Sequence, residues 1–239
     1  MLGVNFYQVV SFKHKLIFLT PPKCSTYSLK VFLDKCGIQM DEPIRSLSTP
    51  FYHPTLSEVI YCYNIGLDEL KDYKIIQIVR NPYDRFLSSY IHQTLLLNID
   101  KNNLPDINLF NSFLSQLESY KYLLPENINE FYLNFYQNEE YKWYHFNLNQ
   151  HGGIRFYYNQ SWWNNVDPNI NINYFKLEDI NKDINPLKNL LNIDNTHLYS
   201  IENSKSYDIP NIKNLIFKYK DKIYNLFKED FKQFNYERL

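Results

Sequence analysis

The run Ile75–Val79 (IIQIV), closed by Arg80-Asn81-Pro82, constrains this chain more than any other stretch. It is rich in β-branched residues and carries no charge. Such a run is buried on both faces, as in a parallel strand covered by helices. Pro82 suits the first position of a helix, Asn81 suits its N-cap, and Asp84 falls in the first turn, where the helix dipole favours an acid. A helix is therefore expected from Pro82 to about Leu97. The same passage from strand to helix occurs earlier. Lys15–Thr20 (KLIFLT) reads as a buried strand, Pro21-Pro22 breaks it, and Ser25 to Cys36 reads as a helix with Gly37 as its C-cap.

The remaining elements extend this alternation. Pro43 to Ser48 reads as a second strand, Pro54 to Ile65 as a helix, and Ile172 to Leu177 as a further strand. Asp179 to Leu191 reads as a helix, and Ile212 to Phe231 as one long amphipathic helix. Residues 98–160 offer no β-run and read as a helical insertion, with helices near Leu109–Tyr122 and Ile128–Phe135. Alternating strands and helices predict an α/β fold with a mostly parallel central sheet flanked by helices on both faces. With 239 residues, the simplest organisation is a single domain spanning residues 1–239.

Composition excludes several classes. Lys+Arg 25 against Asp+Glu 26 gives a net charge of −1, which argues against a broadly basic nucleic-acid binder. Cys24, Cys36 and Cys62 are too few and too scattered for a disulfide scaffold, and no zinc spacing occurs. No signal peptide, membrane span or myristoylation start is read, so neither nucleic acid nor a membrane is expected as partner, and the cytoplasm is the expected location. The 22 Tyr and 17 Phe accompany many Asn, Ile and Lys. A/T-rich codons account for that bias; an aromatic sugar-binding surface is the alternative.

Two segments at strand ends carry chemistry, since ligands of such sheets bind beyond the carboxyl ends of strands. The first is Thr20-Pro21-Pro22-Lys23-Cys24-Ser25-Thr26-Tyr27-Ser28. Backbone N–H groups at a helix start attract anions, Lys23 adds a charge, and Ser25, Thr26 and Ser28 add hydroxyls. The nucleotide-triphosphate pattern GxxxxGK[ST] is absent. The second runs from Arg80 through Asn81, Pro82 and Arg85 to Ser88, Ser89 and Tyr90. Arg80 offers a fork suited to phosphate oxygens, and Ser88 lies just over two helical turns on. For each segment the plainer reading stays open: an ordinary β–α turn with a surface lysine, and an arginine capping a carbonyl.

Together these segments resemble the paired signatures of the PAPS-dependent sulfotransferases, which use 3′-phosphoadenosine 5′-phosphosulfate. RNPYDRFLSSY is similar to the family's RNPxxRxxSxY, and the Pro22-Lys23 loop resembles its phosphosulfate loop. His53-Pro54-Thr55-Leu56-Ser57-Glu58 resembles the His-x-Thr-x-x-Glu stretch of the carbohydrate-type branch. Tyr158 to Trp162, Asn173 to Ile180, and Ile223 to Tyr236 resemble its Pro-Gln-Ser region, its "RFE-x-L" strand and its C-terminal Tyr-x-x-Asp-Phe helix. The resemblance implies a P-loop NTPase-like sulfotransferase fold. It also implies transfer of a sulfuryl group from PAPS to a hydroxyl or amine of a small-molecule or glycan acceptor, leaving PAP, without a metal.

By this resemblance Lys23 and the backbone of Cys24, Ser25, Thr26, Tyr27 and Ser28 hold the phosphosulfate. Arg80 and Ser88 hold the 3′-phosphate, and His53 is the general base. His92, one turn after Ser88, and Trp162 and Trp163 are possible acceptor-binding residues. Core packing is the competing reading for the tryptophans and a surface position for His92. Glu58 reads as solvated on its helix, and Arg85 as paired with a nearby acid. The loop departs from the family at two positions: Ser25 replaces a glycine and Tyr27 a threonine. Ser25 is strained if its φ is positive. A catalytically silent binding or structural protein is the alternative, followed by a small-molecule kinase.

Overall fold

A computed structural model describes residues 8–44, 53–96, 106–121, 159–164, 166, 169–194 and 211–239. The chain divides into two compact units, Met1–Arg80 with Trp162–Lys205, and Asn81–Ser161 with Ser206–Leu239.

The first unit is α/β. Its strands are β1 (Val10–Ser11), β2 (Leu16–Leu19), β3 (Lys74–Val79) and β4 (Ile172–Lys176), in the order β1-β2-β3-β4. The pairs β2–β3 and β3–β4 are parallel, and β1 joins β2 antiparallel. The sheet is thus mixed, which corrects the expectation of a mostly parallel one. The added strand is two residues long and carries no alternation from which a sequence reading could find it. Pro43 and Ile44 are not strand, and the rest of the stretch expected as a strand lies outside the described residues.

One face of this sheet, Leu16 and Phe18 of β2 with Ile76 and Ile78 of β3, packs on helix α1 (Thr26–Lys35) through Leu29, Phe32 and Leu33. Leu177, Ile180 and Leu187 complete that cluster. On the other face Ile17, Leu19, Ile75 and Val79 are equally buried, so both faces are covered, as β-branched parallel strands require. Gly37 ends α1 at a φ of 76°. Its N–H bonds Asp34 O at 2.9 Å and the next N–H, of Ile38, bonds Leu33 O at 2.9 Å, the Schellman closure that a left-handed glycine permits. Helix α2 (Leu56–Tyr63) precedes β3.

The second unit holds α3 (Pro82–Leu96) and α4 (Ile107–Lys121). The Asn81 side chain accepts the Tyr83 N–H at 2.9 Å, the expected cap. The helix expected near Ile128–Phe135 lies outside the described residues. In the first unit, the helix expected over Asp179–Leu191 is two: α5 (Leu177–Ile180) and α6 (Asn185–Leu191). Pro186 lacks an N–H and is tolerated only in the first turn of a helix, so α6 starts afresh just before it, with the Asp183 carboxylate accepting the Asn185 N–H at 2.9 Å.

The long C-terminal helix is likewise three: α7 (Ile212–Lys218), α8 (Lys220–Leu226) and α9 (Lys228–Gln233). The junctions fall at Tyr219 and Phe227, aromatic residues that lose side-chain freedom in a helix. Their backbones leave helical values at φ −108° and −114°. The core of this unit is aromatic. Phe86 meets Phe110 and Phe113 edge-on at 5.5 and 5.6 Å, and Tyr90 meets Phe110 at 5.0 Å. Many of the chain's aromatic rings are therefore core here, and such pairs add ~0.5–1.5 kcal/mol each beyond their buried area.

Candidate anion-binding site

The candidate site lies in the first unit, beyond the carboxyl ends of the adjacent parallel strands β2 and β3. Thr20 follows β2 and leads into the lysine loop; Arg80 follows β3. The loop is held in an unusual backbone conformation: Lys23 has φ 66° and Ser25 has φ 61°. Cys24, between them, has no positive φ. Left-handed residues in a short turn are a recurrent feature of loops whose N–H groups gather round an anion. The condition under which Ser25 is strained is met. A glycine would sit there without steric strain; a serine costs ~1–2 kcal/mol.

Helix α1 begins directly on this loop and is uncapped. Ser25 is its N-cap residue and makes no side-chain capping bond, and the first turn holds no acid. Among the described residues, the N–H groups of Ser25, Thr26, Tyr27 and Ser28 find no backbone acceptor. The Thr26 and Ser28 side chains are 6% and 3% exposed, and their hydroxyl oxygens have no hydrogen-bond partner among the described residues. A buried, unsatisfied hydroxyl costs about 1–3 kcal/mol. Four amides and two hydroxyls at one helix start, all unsatisfied, are the requirement an anion meets.

Two cations border these donors. An N–H of Arg80 (Nη1) donates to the Lys23 carbonyl at 3.1 Å, so the residue that ends β3 also fixes the turn after β2. Burial, and then the neighbouring Arg80 charge, hold the Lys23 amine down to about 8. A bound anion would counteract both by attracting the charged ammonium.

His53 comes to the same strand end. Its Nδ1 lies 2.8 Å from the Thr20 carbonyl oxygen. A carbonyl only accepts, so Nδ1 carries the proton, and in the neutral ring Nε2 bears the lone pair. Behind His53, the Glu58 carboxylate accepts the Thr55 N–H at 2.7 Å and the Thr55 hydroxyl at 3.0 Å. Glu58 is therefore buried at the start of α2, not solvated as expected. In this sequence His-x-Thr-x-x-Glu becomes a histidine followed by a helix start that fixes its position.

The structure thus brings Lys23, Cys24, Ser25, Thr26, Tyr27, Ser28, His53 and Arg80 into one unit. Cys24 is buried, its thiol 3.8 Å from the Pro22 carbonyl. Tyr27 is half-buried on the first turn of α1. Trp163 is fully buried and belongs to the core, whereas Trp162 is half-buried. Ser88 and His92 lie on α3 in the second unit, both half-buried and one turn apart. Two features escaped the sequence reading. One is the Thr20 carbonyl that orients His53. The other is Lys176, the last residue of β4, which pairs in register with Val79; its signal was its place at a strand end.

The second unit joins three further segments of the resemblance. Asp230 of α9 is fully buried, 3.8 Å from the Arg85 guanidinium of α3. It also accepts the Gln160 side-chain N–H at 3.2 Å and the Ser161 backbone N–H at 3.1 Å. Arg85 is thus paired with an acid, as expected from sequence. Burial pushes the Asp230 carboxyl up, against the pull of these donors.

No family model matches the chain, and no curated protein or solved structure matches it. Among the described residues, no three His, Cys, Asp or Glu side chains are grouped to hold a metal ion.

Proposed function

We propose that the protein is a PAPS-dependent sulfotransferase on a P-loop NTPase-like fold, acting on a hydroxyl or amine acceptor. The observation that carries this reading is the unsatisfied start of α1. Among the described residues, four amides and two buried hydroxyls there face no protein acceptor, with Lys23 and Arg80 beside them and no acid in the first turn. That set suits a phosphosulfate, and it needs no metal, because a sulfuryl group bears less charge than a phosphoryl group. Arg80 serves the 3′-phosphate, and the resemblance assigns Ser88 to the same group.

The bond that breaks joins sulfur to the bridging phosphate oxygen; the bond that forms joins sulfur to the acceptor oxygen or nitrogen. His53 Nε2 takes the acceptor's proton, with Nδ1 anchored on Thr20. Lys23 steadies the charge left on the bridging oxygen, a task of positioning and electrostatics like that in phosphoryl transfer. A silent descendant of such an enzyme is the second reading. Tyr27, a bulky phenol on the first turn of α1, is the observation in its favour.

The test is thermal unfolding with PAP or ATP. PAP at about a hundred times its Kd should stabilise the fold by ~2.7 kcal/mol. Arg80→Ala should abolish the shift, and ATP should give less. His53→Ala should keep the PAP shift and lose sulfate transfer. No PAP shift in the wild type refutes the donor site. A normal shift with no transfer to a broad acceptor panel leaves the silent reading.

A further inference from the structure

The C-terminal segment of the chain bears a local excess of positive charge. Residues 211–239 carry seven Lys and Arg against four acids, although the whole chain has a net charge of −1. Of those acids, Asp230 is buried on Arg85, and Asp221 is paired with Arg238 at 2.8 Å. Lys213, Lys218, Lys220 and Lys222 fall within ten residues.

Among these lysines stands Phe217, 64% exposed. Its helix α7 buries Ile212, Leu215 and Ile216 in the core of its own unit, and Phe217 takes no part in that packing. Lys213, four residues earlier, shares its outer stripe. The Lys220 ammonium sits 4.6 Å from the centre of the Phe217 ring, and Lys218 lies 5.7 Å from that of Tyr219. A single exposed phenylalanine is ordinary. One set among cations joins apolar surface to positive charge.

We propose that the outer face of α7 and the start of α8, centred on Phe217, docks on an anionic lipid bilayer. Charge complementarity selects the partner's sign, and the ring selects its kind. A soluble polyanion would engage the lysines but leave Phe217 in water. A nucleic-acid base would find one face of the ring already covered by Lys220. At a bilayer surface the ring enters the boundary between headgroups and acyl chains, and the lysines lay their stems along it and place their charges among the phosphates. The contact is peripheral, since no helix among the described residues is long and apolar enough to cross a membrane. It departs from the expectation of no membrane partner, which rested on the lack of a spanning segment.

The experiment is co-sedimentation of the full chain with vesicles. One set holds about three parts phosphatidylcholine to one of phosphatidylserine, the other phosphatidylcholine alone. Binding is expected on the anionic vesicles at ~0.05 M salt, weaker by about tenfold or more at ~0.5 M, and absent on the neutral ones. Lys213→Glu with Lys220→Glu should lower it by about tenfold or more. Phe217→Ser should lower it severalfold with an unchanged Tm and an unchanged PAP shift. Failure to bind anionic vesicles overturns the proposal. Binding indifferent to Phe217→Ser, or displaced by RNA with the same indifference, overturns it in favour of a soluble polyanion. The proposal does not depend on the sulfotransferase reading, and neither result bears on the donor site.

Discussion

Ser25 holds a left-handed backbone at φ 61° without a capping bond to compensate. Replacing it by glycine removes the clash between its Cβ and the backbone. Glycine's greater freedom in the unfolded chain offsets part of that gain. Ser25→Gly is expected to raise stability by ~1 kcal/mol, read as a higher urea midpoint with an unchanged slope. Ser25→Ala retains the Cβ and should give no such rise; an equal gain in both variants would show that the strain lies elsewhere. The resemblance located the departure at this position, but only the backbone angle says that it is costly. Lys23, Arg80 and His53 were legible in the sequence because they stand beside a strand end or a recognisable motif. The unpartnered Thr26 and Ser28 hydroxyls and the Thr20 carbonyl were not, because their meaning depends on what packs around them.

Helices α3 and α9 are tied by the Arg85–Asp230 pair, with Gln160 and Ser161 adding donors. Removing one charge from a buried pair strands the other, at a cost of about 3–5 kcal/mol; replacing both by apolar residues of similar volume is often close to neutral. Asp230→Asn is therefore expected to be strongly destabilising, and Arg85→Met with Asp230→Leu to recover most of the loss in urea denaturation. Additive losses in the double variant would mean that the pair is not coupled. At this scale local chemistry was readable: the Asn81 cap, the Gly37 closure and the β-branched run of β3 all follow from their own residues. The breaks at Tyr219 and Phe227 were not, since an apolar period of 3.6 continues through a helix whose axis is interrupted.

Across the molecule, buried titrating groups shape the response to pH. Burial holds the Lys30 amine on α1 down to about 7 and Lys23 to about 8, against an ordinary 10.5. Between these values and 10.5 the unfolded chain binds more protons than the folded one, so stability rises with pH through that window. Below pH ~7 the cost of burying both charges is felt in full. The phenols act in the opposite sense. Burial pushes Tyr90 up to about 12, and Tyr63 higher still. The stability they support is present below pH ~10 and is lost as pH rises through their folded values. The urea midpoint should climb from pH ~7 to ~10 and then fall. Lys30→Met should raise it at pH ~7 and flatten the climb. A midpoint that stays level over that range in the wild type would show that Lys30 is not buried as a charge.

One N–H group of Arg80 is committed to the Lys23 carbonyl. Two turns that are distant in sequence, one after each of two neighbouring strands, are thereby made into a single heritable unit. A lineage that loses the arginine loses the shape of the lysine loop along with a positive charge. A lineage that relaxes the loop removes the acceptor on which the arginine rests. Drift at either strand end should then be abrupt, both changing together or neither, and an engineer wishing to retarget the pocket would have to exchange the two turns as one cassette.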